Sequence, residues 1–195
     1  MALRVIGIDP GLTRCGVGVV DVLPNRRASL VEVEVIRTHA DLALEKRLLL
    51  IGVAIDEIMD RCAPDAFAIE QVFAQHNVRT VMGVAQISGI ALHSAAKRGI
   101  PVGLHTPTEV KAAITGYGSA DKRQMQTMVA RILHLDEIPK PADAADALGI
   151  AICHAWRSGL AVSAQSSSSL TPAQQAWRAA EASTKTSVPH RKLVQ

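Results

Sequence analysis

The distribution of apolar and polar residues near the start of the chain predicts three short strands. Residues 3–9 form an apolar run that ends at Asp9-Pro10-Gly11, which is typical of a strand followed by a turn. Residues 14–22 continue with glycine and valine until Leu23-Pro24-Asn25 interrupts them. Residues 29–38 alternate leucine and valine with glutamate, which indicates a half-buried strand. Three consecutive strands joined by short turns predict an antiparallel meander.

The rest of the sequence alternates between helical and strand patterns. Residues 41–62 carry apolar side chains at helical spacing after an aspartate, which predicts an amphipathic helix. The other predicted elements are a strand at 65–70, a helix at 77–98, a strand at 100–105, a helix after the capping box Thr106-Pro107-Thr108-Glu109, a helix at 119–135 and a last helix from 142 to about 157. Because antiparallel strands are followed by strand–helix–strand crossovers, we expect an α/β fold with a mixed five-stranded sheet and helices on both faces.

Length and composition fit one domain with a tail. The chain has 195 residues, of which 48% are apolar and 20% charged, so it can enclose a hydrophobic core. Apolar periodicity fades after residue 159, and residues 166–169 are all serine. We therefore interpret 1–159 as one domain and 160–195 as a disordered, basic tail. Three cysteines without C-x-x-C spacing, Cys15, Cys62 and Cys153, indicate reduced thiols.

No segment of the sequence is typical of a secretion signal or a membrane span. The N-terminal apolar run reaches Asp9 and Pro10 too early for a signal peptide. The longest uncharged run within residues 1–159, residues 80–96, contains polar side chains and is shorter than the ~20 residues that a bilayer requires. We expect a soluble, cytoplasmic protein with no membrane partner.

Charge is distributed unevenly along the chain, although the net charge is only +3. Residues 71–131 carry 7 basic and 2 acidic side chains, whereas residues 1–70 carry 8 basic and 11 acidic ones. A basic segment beside acidic ones suits an enzyme that uses metal ions on a polyanion. The alternative is a solvated charged face.

Four carboxylates occupy positions that favour a functional site. Asp9 and Glu70 end two apolar strands, and Asp143 and Asp146 are three residues apart at the start of the last helix. If the two strands are parallel neighbours, the carboxylates meet at the carboxyl edge of the sheet, where open α/β sheets place their sites. Oxygen ligands suit Mg²⁺ or Mn²⁺, and two such ions ~3.5–4 Å apart can bind the attacking and leaving oxygens of a phosphodiester. Taken singly, Asp9 could be a turn residue, and the helix acids could complement the helix dipole or be solvated.

Four stretches of the chain form a pattern that is specific when they occur together and in this order. They are Gly7-Ile8-Asp9-Pro10-Gly11, Ile69-Glu70-Gln71-Val72-Phe73, the segment 110–122 and Ala142-Asp143-Ala144-Ala145-Asp146-Ala147-Leu148. With these stretches the chain resembles the RuvC family of crossover-junction endodeoxyribonucleases, which resolve Holliday junctions. The resemblance implies an RNase H-like fold, a homodimer and symmetric nicking of two strands of a four-way DNA junction. It also implies two Mg²⁺ ions per active site, with Mn²⁺ expected to substitute, and cooperation with the RuvA–RuvB branch-migration complex in homologous recombination and DNA repair.

The resemblance assigns roles to individual residues. It implies that Asp9, Glu70, Asp143 and Asp146 bind the metal ions and catalyse hydrolysis to a 5′-phosphate and a 3′-hydroxyl. It implies that Phe73 inserts against bases near the junction centre and that Lys111 and Lys122 face the DNA backbone. Lys122 would also stabilise charge at the scissile phosphate. Arg79 and Arg123 are DNA-binding candidates because they lie in the same basic region. The alternatives are packing of Phe73 beneath its own loop and solvated surface charges for the basic residues.

The uncharged helix at 77–98 supports the homodimer independently. Between residues 80 and 96 it has no charged side chain and carries small residues such as Gly83, Ala85 and Gly89. A helix that is apolar nearly all round is buried on more than one side. A symmetry mate would cover the second side, and two-fold symmetry suits a junction cut at two strands. The alternative is that other helices of the same chain cover it.

Two other functions are compatible with parts of the pattern. One is an RNase H-like nuclease that acts on RNA. The other is a non-catalytic junction-binding or ATP-binding module, because Gly7-Ile8-Asp9-Pro10-Gly11 also resembles the phosphate loop of sugar-kinase-like ATPases. The ATP-binding alternative requires a later glycine-rich stretch for adenosine, and the sequence has none.

Overall fold

The computed structural model describes residues 1–71 and 78–166, with the side chains of 78–80 and of residues after 158 left out of the description. In chain order its elements are β1 (Leu3–Asp9), β2 (Arg14–Val22), β3 (Ala28–Arg37), α1 (Leu44–Cys62), β4 (Ala66–Glu70), α2 (Val78–Lys97), β5 (Val102–His105), α3 (Pro107–Thr115), α4 (Lys122–Ile132) and α5 (Ala142–Ser166). Residues 1–159 form one compact unit.

The five strands form a single mixed sheet in the order β3-β2-β1-β4-β5. The first three strands pair antiparallel, and β1 pairs parallel with β4, which pairs parallel with β5. The predicted meander followed by parallel crossovers is therefore confirmed. The order places β1 at the centre of the sheet, beside β4, so that the two strands end at the same edge.

Helices cover both faces of the sheet, and each face has its own hydrophobic core. On one face, Val5 and Ala68 pack with residues of α3, α4 and α5 such as Leu148. On the other face, Ile6 and Phe67 pack with residues of α1 and α2. Neighbouring residues of a strand point to opposite faces of the sheet. The face to which the last side chain of each strand points therefore follows from the faces on which the preceding residues pack.

Capping signals in the sequence predicted one helix start correctly, whereas two other helices begin later than expected. The predicted capping box is present: Thr106 accepts from the backbone N–H of Glu109 and the Glu109 side chain accepts from Thr106 N. The helix expected from residue 41 begins instead at Leu44, because residues 39–42 form a turn in which Leu42 N–H donates to the carbonyl of His39. The helix expected at 119–135 is shorter, since Asp121 caps its N-terminus.

The last helix is longer than expected. It was predicted to end near residue 157, but α5 continues to Ser166, because residues 160–166 lack the glycine or proline that would end it. The predicted tail is thus helical over its first seven residues, and its remainder, 167–195, lies outside the described residues. None of the helices in the described ranges combines the length and apolarity needed to cross a membrane.

Candidate active site

Asp9 and Glu70 end neighbouring parallel strands at one edge of the sheet. In the register, Ile8 lies beside Ile69, so the next residue of each strand is one of these acids. Gly7 faces α5, where a Cβ built on it would overlap the carbonyl oxygen of Ala147. Asp9, two residues further along the strand, therefore points to the same face. The strand ends thus direct both carboxylates toward the helix that carries the other two acids.

The N-terminus of α5 reaches these carboxylates because glycines occupy the strand positions beneath it. Asp143 and Asp146 lie in the first two turns of α5. A Cβ built on Gly16 of β2 would overlap the carbonyl oxygen of Asp143, and one on Gly18 would overlap Leu148. Glycine at these strand positions lets the helix lie directly on the sheet. Gly16 was not among the predicted site residues. A glycine within a strand pattern often marks a close approach of another backbone, and this signal could have identified it.

The pKa values show that the four carboxylates share one electrostatic field. Burial raises the pKa of Asp9 to about 7, and neighbouring carboxylates add to the shift. In order of effect these are Glu70, Asp146 and Asp143. Burial also raises the pKa of Glu70, and the charge of Asp146 raises it further. Grouped anions of this kind require positive charge to remain ionised together.

Positive side chains surround the carboxylates. The Nζ of Lys122 lies 3.0 Å from Oδ2 of Asp146, and the Nε of Arg14 lies 3.2 Å from Oδ2 of Asp143. Hydrogen bonding to Asp146 raises the pKa of Lys122. Lys122 and then Lys111 also act to lower the pKa of Glu70, against the effect of burial. Arg14 was not among the predicted site residues, since only the β2 register brings it to this edge.

The donor chemistry of the site suits a hard divalent cation. All four predicted ligands are carboxylates, which Mg²⁺ and Mn²⁺ prefer to softer ligands. Among the described residues, no three His, Cys, Asp or Glu side chains are close enough together to hold an ion. Two of the carboxylates form ion pairs instead, Asp146 with Lys122 and Asp143 with Arg14.

The predicted DNA-binding residues are placed unevenly. Lys111 and Lys122 lie near the carboxylates, as their effects on Glu70 show. Arg123 follows Lys122 in the first turn of α4 and lines a separate cleft. Phe73 lies outside the described residues. Arg79 lies in the first turn of α2, but its side chain is not among those described.

The chain is similar to crossover junction endodeoxyribonucleases of the RuvC family. The family model described as crossover junction endodeoxyribonuclease RuvC matches residues 5–154. A crossover junction endodeoxyribonuclease RuvC from Leifsonia xyli subsp. xyli is 66% identical, over 99% of this chain and 99% of its own length. One from Paenarthrobacter aurescens is 62% identical, over 93% of this chain and 97% of its own length. The structure of T. thermophilus RuvC in complex with a Holliday junction substrate aligns with a TM-score of 0.78 at 36% identity, over 82% of this chain and 96% of that one.

Proposed function

The chain belongs to the RuvC family of crossover junction endodeoxyribonucleases, and on this premise we propose that it cuts Holliday junctions at the acidic edge formed by β1, β4 and α5. The RNase H-like fold expected from the sequence is the fold of these relatives. The family also favours a DNA endonuclease over the two alternative functions, an RNA nuclease and a non-catalytic module.

One observation carries the location of the active site. Three carboxylates from two other elements contribute to the raised pKa of Asp9, although up to about 137 residues of sequence separate them. A purely structural protein gains nothing from grouping four acids, since their mutual repulsion destabilises the fold. Perturbed pKa values in such a cluster are typical of catalytic sites. We assign catalysis and metal binding to Asp9, Glu70, Asp143 and Asp146.

We propose Mg²⁺ as the metal, with two ions per site and Mn²⁺ as a substitute. When bound, divalent cations at these carboxylates supply an acidic water and offset the charge of the phosphodiester. The chain itself contributes the charges around them. Lys111 and Lys122 would attract the backbone to the carboxylates, and Lys122 would stabilise negative charge at the scissile phosphate. Arg14 holds Asp143 by its 3.2 Å ion pair, which orients the first turn of α5.

The DNA-binding surface proposed here extends from Lys111 and Lys122 to Arg123 on α4. Arg79 and Phe73 remain candidates on the segment that follows β4. A phenylalanine that stacks on an unpaired base would contribute about 1–3 kcal/mol to binding. Salt would weaken binding throughout, because the contacts to phosphate release counterions from the DNA.

We also propose that the protein acts as a homodimer through the outer face of α2. Ile87 and Ala91 on the inner face of this helix are fully buried, whereas Met82 is 55% exposed on the outer face. Leu104 of β5 is 50% exposed and lines an apolar groove of about 320 Å³ with Gly89 of α2. Apolar surface of this kind is typical of an interface. Assembly with the RuvA–RuvB complex and a cytoplasmic location remain predictions.

A cleavage assay tests the proposed activity. The full chain is incubated with a synthetic four-way DNA junction, an RNA hairpin and an RNA–DNA hybrid, each with Mg²⁺ or with a chelator. We expect paired, symmetric nicks in the junction alone and only with Mg²⁺, with 5′-phosphate and 3′-hydroxyl ends. Cleavage of the RNA substrates without cleavage of the junction would support the RNA nuclease instead.

A further inference from the structure

A basic cleft lies beside the proposed active site, between the loop that follows α3 and the outer face of α4. Its volume is about 360 Å³. The residues that give it chemical character are Arg123, Arg131, Tyr117, Thr115, Thr127 and Asp121. None of these except Arg123 belongs to the predicted site.

The two arginines form a positive stripe along one face of α4. Arg123, Thr127 and Arg131 are spaced four residues apart, so they follow one another on the same side of the helix. Eight residues of helix separate the two arginines by ~12 Å along the axis. Both are exposed, and neither forms an ion pair with any residue in the described ranges. Because two guanidinium groups on one wall have no ion-pair partner among the described residues, the cleft is a candidate anion-binding site.

The opposite wall is held in place by hydrogen bonds. The hydroxyl of Tyr117 donates to Oε1 of Gln124 at 2.7 Å, and the backbone N–H of Asp121 donates to the same oxygen at 3.0 Å. Gly116, with a φ of 89°, ends α3 in the left-handed conformation and turns the chain into this wall. The cleft therefore exists before any ligand binds, which lowers the entropy cost of binding.

One acidic group opposes an anion in the cleft. The carboxylate of Asp121 lines it, but its Oδ1 accepts the backbone N–H of Gln124 at 2.8 Å as the cap of α4. Two guanidinium groups thus face one carboxylate that is already hydrogen bonded. The balance of charge in the cleft is positive.

We propose that Arg123 and Arg131 in this cleft each bind a backbone phosphate of a DNA arm, at a distance from the phosphate that is cut. Arginine presents a planar fork of donors that matches phosphate oxygens. The hydroxyls of Thr115 and Thr127 donate within the chain instead, to the carbonyls of Lys111 and Arg123 at 2.8 Å. The cleft is separate from the proposed active site, but both use α4: Arg123 directly follows Lys122, whose Nζ lies 3.0 Å from Oδ2 of Asp146. A DNA strand held at the carboxylates would therefore pass the N-terminus of the helix that carries the two arginines. This inference rests on the proposed function and extends its substrate contacts to Arg131.

The test measures binding of the full chain to a synthetic four-way DNA junction over a series of salt concentrations, without divalent metal. Each phosphate contact contributes ~0.9 to the slope of log K against log salt. We expect Arg131→Ala to weaken binding about tenfold and to reduce the slope by about one. The double variant Arg123→Ala/Arg131→Ala should reduce the slope by about two. Arg131→Lys keeps the charge and should keep the slope.

Arg27→Ala is the matched control, because Arg27 is an exposed arginine in the turn between β2 and β3, at the opposite edge of the sheet. It should retain the parent affinity and slope. If the parent protein neither binds nor cuts the junction, the proposed function itself is wrong. If the parent binds but Arg131→Ala keeps its affinity and slope, the phosphate site is wrong. A slope reduced equally in Arg131→Lys would also overturn it, because loss of charge could not be the cause.

Discussion

Gly16 of β2 lies directly against the backbone carbonyl of Asp143 in α5, with no room for a Cβ between them. The contact joins two elements that the sequence separates by more than a hundred residues. It places the first two turns of α5, and with them Asp143 and Asp146, over the ends of β1 and β4. The position of the acids thus depends on the absence of a side chain elsewhere.

Gly16→Ala should therefore reduce junction cleavage even in protein that remains folded. The added methyl group displaces the N-terminus of α5, and we expect a loss of about 1–3 kcal/mol in the free energy of unfolding. Because Asp143 moves with the backbone, cleavage should fall by about 100-fold under conditions in which the variant is folded. Gly18→Ala is the control, since it overlaps α5 at Leu148, further from the acids. A folded Gly16→Ala protein that cuts as well as Gly18→Ala would contradict this account.

Lys122→Ala should slow cleavage by about 100-fold. The lysine forms an ion pair with Asp146 and acts to lower the pKa of Asp9 and Glu70, so its loss leaves the carboxylates uncompensated. Single-turnover cleavage with Mg²⁺ measures the effect. Lys97→Ala removes an exposed lysine at the end of α2 and should cleave at the parent rate. Equal rates for the two variants would remove Lys122 from the proposed site.

Gly89→Glu should dissociate the homodimer without unfolding the chain. A Cβ built on Gly89 meets no other atom within 4 Å among the described residues, so the chain itself has room for the side chain. A charged group on the apolar face of α2 would be buried without a partner in a dimer. Sedimentation should show a monomer for this variant and a dimer for Ser29→Glu, at an exposed position on β3. A dimeric Gly89→Glu protein would place the interface elsewhere.

A histidine pair between β5 and α5, in which His105 is buried and His154 is partly buried, should make stability depend on pH. Nε2 of His105 lies 2.9 Å from Nδ1 of His154, and burial lowers the pKa of His154 to about 4. Burial lowers the pKa of His105 as well. Because the unfolded chain then binds more protons than the folded one, the stabilisation is complete above the unfolded pKa of about 6.5 and is lost as the pH falls toward 4.

Urea unfolding at about pH 7.5 and about pH 5 measures this effect. Because solvent reaches part of the His154 ring, its protonation should cost no more than about 2 kcal/mol between the two conditions. His154→Asn should show a smaller difference between them than the parent. His134→Asn is the control, since His134 is exposed and asparagine tolerates its φ of 53°. If His154→Asn and the parent lose stability equally, the pair is not the cause.

The sequence predicted the sheet and the four acids because those features are encoded locally. Asp9 and Glu70 each close an apolar strand, and the box at Thr106 marks a helix start within four residues. The features that it did not predict depend on contacts between distant segments. Arg14 reaches Asp143 only through the register of β2, and Arg131 joins Arg123 and Tyr117 only once α4 lies beside the loop after α3. The predicted end of α5, near residue 157, was wrong because apolar periodicity fades over residues 160–166 although no glycine or proline ends the helix there.

The most direct test of the central claim, that the grouped carboxylates cut the junction, compares binding and cleavage in Asp9→Asn and Asp146→Asn. Both substitutions keep the size of the side chain and remove its charge. We expect both variants to bind a four-way junction at least as tightly as the parent and to lose at least about 100-fold in single-turnover cleavage with Mg²⁺. Asp60→Asn, at an exposed acid on α1, should cleave at the parent rate. If Asp9→Asn and Asp146→Asn also cleave at the parent rate, the active site is not at this edge of the sheet.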